Sequence, residues 1–149
     1  MREYVNVRSS LLFCTFLLIQ FYGQSQQVDT SNPMNNNITL NVDHPNRKRM
    51  EYFLNSVTEK LEQVSFDWRD WKQADKIISG HKFNNSDSSL TITVLFTSSY
   101  DDANEIAKAN ALPLLPNAKW SVNGDLLYLV ESEDENKVSE VLSLFAGKE

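Results

Sequence analysis

Reactive side chains are scarce in this sequence. Cys14 is its single cysteine, so neither a disulfide framework nor a thiolate metal cluster can form within the chain. There are two histidines, His44 and His81. No His-x-x-x-His or paired-cysteine spacing exists to hold zinc. The four glycines, Gly23, Gly80, Gly124 and Gly147, are scattered, which excludes a glycine-rich loop around a phosphate. Positive charge is also short. The formal net charge is −6, and the one basic cluster is Arg47-Lys48-Arg49, too little to neutralise a nucleic-acid backbone. No cofactor or metal is expected on these grounds.

Long apolar runs are missing except near the start. Arg2 and Arg8 flank the beginning of Leu11–Ile19, which gives way to small and polar residues by Gly23–Gln27. This charged, then apolar, then polar order is that of a secretory signal peptide. The apolar run is too short to span a bilayer comfortably, and its terminal position argues against a buried core helix. Cys14 sits inside the run behind Phe13, without the small residues that a lipidated cysteine needs before it. Residues 1–25 are therefore expected to be cleaved. Loss of Arg2, Arg8 and Glu3 leaves the mature chain one charge more acidic than the whole. The expected location is secreted or periplasmic, with no integral membrane span after cleavage.

Residues 26–45 are rich in Gln, Asn, Ser, Thr and Asp. Such a composition cannot offset ordering entropy by burial, which predicts a flexible leader. Ile38, Leu40 and Val42 alternate with polar residues, a weak edge-strand pattern. A single domain is expected over 46–149, since the length suits one core and not two. From Asn46 to Ser65, Met50, Phe53, Leu54, Val57, Leu61 and Val64 recur at three- and four-residue steps, predicting an amphipathic helix. Acids and bases are mixed on its polar side, unlike the cationic face of a membrane-surface helix.

Two strand pairs follow. Lys76–Phe83 and Leu90–Phe96 flank the polar turn Asn84–Ser89, with Leu90, Ile92, Val94 and Phe96 on one face and Thr91, Thr93 and Leu95 on the other. A short helix begins near Ser98, and Leu112–Asn117 with its two prolines is a connector. Ala118–Ser132 is a hairpin turning on Asn123-Gly124. Ser132 and Glu135 have capping-box spacing before a helix carrying Val138, Val141, Leu142 and Phe145 on one face and stopping at Gly147. The pattern strand, strand, helix thus occurs twice. The predicted fold is α+β: a two-layer sandwich of about four antiparallel strands, helices on one face, with the amphipathic helix before it.

Function is less legible. Glu131–Glu135 holds four acids, but acids at a helix start are favoured by its dipole and no calcium-loop glycine interrupts them. Phe66-Asp-Trp-Arg-Asp-Trp71 is the most unusual segment. Its indoles either stack on a ligand or close the end of the sheet, and burial is the commoner fate of tryptophan. Trp68, Trp71 and Trp120 are the candidate ligand-binding residues. Thr91, Thr93, Lys119, Ser121 and Asp125 are candidates for an open sheet face able to take a protein or peptide partner. No catalytic residue is assigned, and the expectation is a non-catalytic exported binding or protein-interaction module of the cell envelope, not an enzyme. Self-association through the uncovered face, giving a homodimer, is a variant of that reading. The alternative is a small envelope hydrolase using His81 with Asp75 and a serine, although Ser79 and Ser86 lack a Gly-x-Ser-x-Gly elbow. A strand histidine facing solvent is the ordinary expectation for His81.

Overall fold

A computed structural model describes residues 36–110 and 117–146. The expected export signal, the first part of the leader, most of the Leu112–Asn117 connector and the stop at Gly147 lie outside the described residues. The rest forms a five-stranded, wholly antiparallel sheet with helices, a mixed α+β fold. The elements are α1 (Arg47–Ser56), β1 (Leu61–Val64), β2 (Ile77–Asn85), β3 (Leu90–Thr97), α2 (Tyr100–Asn110), β4 (Ala118–Asn123), β5 (Leu126–Ser132) and α3 (Glu135–Ala146). The strand order is β1-β2-β3-β5-β4, so β5 inserts between β3 and the edge strand β4.

Strand alternation divides the core. Leu90, Ile92, Val94 and Phe96 of β3, with Leu126, Tyr128 and Val130 of β5, pack with Met50 and Leu54 of α1 and Val138, Val141 and Phe145 of α3. The intervening Leu95 and Leu127 face the other way, against Ala103 and Ile106 of α2. The alternation expected along Leu90–Phe96 is the one observed. Two refinements of the layering follow: there is a fifth strand, and α2 lies on the sheet face opposite α1 and α3, giving helices on both sides.

The fifth strand comes from the segment expected to extend the first helix. Leu61 and Val64 fit a helical period as well as a strand, but α1 ends at Ser56 and Val57 is extended (φ −65°, ψ 134°). Asn36 explains the stop. Its Nδ2 donates to the carbonyls of Leu54, Val57 and Glu59, at 3.3, 3.2 and 3.0 Å, and its Oδ1 accepts from Leu61 N–H at 2.7 Å. One buried amide thus takes up groups that a helix end would leave unpaired.

The expected flexible leader is corrected over its described part. Leu40 is buried, and Ile38 and Val42 pack on the same core. The backbone of Ile38 exchanges hydrogen bonds with the Asn55 side chain, and Leu40 N–H donates to Glu51 Oε1. Composition missed this because three alternating apolar residues supply the burial, while side chains of α1 supply the backbone partners. His44 completes the attachment. Its Nε2 lies 3.1 Å from the Thr97 carbonyl and 3.5 Å from Asp125 Oδ2, its Nδ1 accepts from Asn46 N–H, and Asn46 Nδ2 donates to Asp125 Oδ1 at 2.6 Å.

Turns and caps fall one or two residues from their expected places. Asn123 pairs with Leu126, so the loop is Gly124-Asp125, with positive φ at Gly124 (63°) and not at Asp125. Glycine at the first of two central positions suits a type II′ hairpin. Ser99 caps α2 by accepting from Asp102 N–H and donating to the Asp102 carboxylate. Asp134 caps α3 by accepting from Asn136 N–H at 2.9 Å, while Ser132 accepts from Asp134 N–H. Aspartate fills the same role as serine because only a short side chain with an acceptor oxygen is required.

Candidate functional site

The sheet face shared with α2 carries an aromatic cluster. β4 directs Trp120 and Val122 to this face, and the loop after β1 brings Phe66, Trp68 and Trp71 over it. Gly80 makes room. A Cβ at that position would stand 2.9 Å from Trp68 Cε3, 2.9 Å from Leu95 Cδ2 and 3.0 Å from Phe66 Cε1. Trp71 meets Trp120 edge to face with centroids 5.5 Å apart, and Phe66 meets Trp71 in the same manner at 5.5 Å. The Arg69 guanidinium lies over Trp68 at 5.5 Å, held also by Asp67. The sequence-predicted Trp68, Trp71 and Trp120 are therefore together, each half-buried, with one side against the core and the remainder at the surface. The Trp120 Nε1 donor is buried and has no hydrogen-bond partner among the described residues.

The residues proposed as one open face do not share it. Thr91 and Thr93 point to the α2 side, and Thr93 is buried. Lys119 and Ser121 alternate with Trp120 and so face the α3 side, where Lys119 pairs with Glu135 at 3.1 Å. Asp125 lies in the β4–β5 turn, bonded to Asn46 and near His44. The error has a simple origin: odd and even positions of β4 go to opposite faces, and the sequence does not say which set matches Thr91.

His81 departs from the expected solvent-facing position. It is 6% exposed, on the face shared with α1 and α3, with its ring 5.9 Å from that of Phe96 and perpendicular to it. Ser79, two residues earlier on β2, places Oγ 2.9 Å from Nε2, and Gln63 of β1 places Nε2 of its amide 3.2 Å from Nδ1. Both ring nitrogens therefore lie within hydrogen-bond reach of neutral side chains. Burial pushes the His81 pKa below its ordinary value, because the charged ring would lose hydration without gaining a carboxylate. Asp75, expected as its acid, precedes β2 in a 3-10 turn and makes no ion pair with it among the described residues.

A groove of about 460 Å³ opens at the β2–β3 turn end of the sheet. Lys82 of β2, Thr91 of β3 and Glu131 and Ser132 of β5 line it, together with Ser88, Ser89, Asn117 and Glu133. In the sequence, Thr91 stands out as a candidate for an open sheet face and Glu131 as part of an acidic run, but the groove they share does not, since these residues come together only through strand pairing. Among the described residues no group of three or more histidines, cysteines or carboxylates is placed to hold a metal ion. No helix among them is long and apolar enough to cross a membrane. Compared with protein-family models, curated proteins and solved structures, the chain matches none of them.

Proposed function

We propose that this chain is an exported, non-catalytic binding or protein-interaction module of the cell envelope, with the Trp68, Trp71 and Trp120 cluster as its contact surface. The observation that carries the reading is the fixed pairing of His81. Its ring nitrogens are taken by the neutral side chains of Gln63 and Ser79, and no carboxylate bonds to the ring among the described residues. Support on the binding side comes from three indoles brought to one half-buried cluster, the residue type that anchors interfaces. Immobilised mature protein, exposed to an envelope extract, is expected to retain a saturable partner that Trp68→Ala and Trp71→Ala release. Retention unaffected by both substitutions counts against this surface.

One observation favours a second reading, a small hydrolase: the Ser79 hydroxyl lies within 2.9 Å of a histidine nitrogen. A fluorophosphonate probe separates the two. The binding reading expects no label on Ser79, whereas labelling abolished by Ser79→Ala and His81→Gln establishes the hydrolase.

A further inference from the structure

We propose that the groove at the β2–β3 turn end of the sheet binds the backbone of a short zwitterionic peptide, its carboxylate on Lys82 and its ammonium on Glu131. The inference rests on reading the chain as a binding module and adds a ligand class and a second site, apart from the tryptophans.

The argument begins with charge. Lys82 and Glu131 are both half-buried in the groove wall, and neither has an ion pair among the described residues. This sets them apart from Lys76, Lys119 and Lys137, each of which pairs with a carboxylate. Lys82 pairs in register with Thr93, and Glu131 with Thr91 on the same strand. Two strand spacings, about 10 Å, and an offset of two residues along β3 separate their backbone positions, and the two side chains do not pair with each other. A ligand that satisfies both must carry opposite charges at separated ends, which a peptide of two or three residues does and a free α-amino acid, with both charges on one carbon, does not.

The remainder of the lining suits peptide groups. Glu133, exposed, adds a second carboxylate beside Glu131 on the ammonium's side, and Ser88, Ser89, Thr91, Asn117 and Ser132 offer hydroxyls and an amide and no aromatic platform, which disfavours a neutral sugar held by stacking. Two of these side chains are fixed before any ligand arrives: Ser89 Oγ accepts from Asn85 Nδ2, and Asn117 Nδ2 donates to the Glu133 carbonyl. Fixed polar groups cost less ordering on binding. The volume, about 460 Å³, lies within the range that small-ligand sites occupy.

Triglycine titrated into the isotope-labelled full chain, followed by amide chemical shifts, tests the site. The expected result is saturable shifts centred on Ser88, Thr91 and Glu131. Binding should weaken at least tenfold for N-acetyl-triglycine, for triglycine amide, and for the Lys82→Gln and Glu131→Gln variants, whose melting temperatures should match the parent's. Absence of shifts, shifts centred elsewhere, or equal binding of the blocked peptides overturns the proposal. If triglycine fails while the immobilised chain still retains its tryptophan-dependent partner, only the groove assignment falls; if both fail, the binding reading falls with it.

Discussion

Trp68 lies directly on Gly80, so close that the α-carbon of Gly80 has no room for a methyl group. The contact ties the loop after β1 to the sheet beneath it, and the other aromatics of the cluster pack around that point. Gly80→Ala is expected to destabilise the fold by about 1–3 kcal/mol through overpacking. Urea unfolding measures the loss, and a shift of the tryptophan emission maximum reports that the indoles have moved.

His81 sets a pH window for stability. Its folded pKa lies below the ordinary 6.5 because of burial, so below 6.5 the unfolded chain binds the proton more readily than the folded one. Stability therefore falls as pH drops through that value, with a slope of at most about 1.4 kcal/mol per pH unit. Urea midpoints between pH 7.5 and 5 should show this fall, and His81→Gln should flatten it. Glu59 acts in a lower window: desolvation raises its pKa, but hydrogen bonds from Lys137 and Thr58 outweigh that and hold it below 4.5. Its contribution is present above 4.5 and is lost progressively as pH falls below that value through the lowered folded pKa.

Asn36 anchors the chain before α1 to the chain after it. Asn36→Ala leaves three carbonyls and one N–H without this partner, at a cost of about 2–4 kcal/mol. Hydrogen exchange at the Ile38, Leu40 and Leu61 amides should accelerate more than at those of β3. Uniform acceleration across the sheet would show that Asn36 holds no separate unit.

Tyr128 gives a prediction of opposite sign. Its ring packs against Phe145 with centroids 4.9 Å apart, while its hydroxyl is buried with no hydrogen-bond partner among the described residues. Tyr128→Phe removes a polar group with no compensation and should be neutral or stabilising by about 1 kcal/mol. A lower melting temperature would reveal a partner for that hydroxyl.

How far the sequence could be read depended on how local each signal was. The β4–β5 hairpin and α3 were legible because Gly124, the acceptor side chains before Glu135 and the spacing of Val138, Val141 and Phe145 act over a few residues. The strand β1 was not, since Leu61 and Val64 fit either period and the deciding contact comes from Asn36, distant in sequence. The clustering of the indoles could not be read either: Trp71 and Trp120 meet only because β4 pairs with β5 and α2 leaves that end of the sheet to the Phe66–Trp71 loop. Nor could the surroundings of His81, whose partners depend on the β1–β2 register. Motif scanning looks for acids and hydroxyls and has no reason to expect a glutamine.

The strand order also bears on how the chain matures. β5 pairs with β3 on one side and β4 on the other, so a nascent polypeptide that ends at Asn123 holds two strands with an empty lane between them. β1, β2 and β3 pair without β5, while β4 has no neighbour until β5 is made and closes the gap between β3 and β4. Until then the free edge of β3 stands open, so the last strand to be made is the one that seals the middle of the sheet.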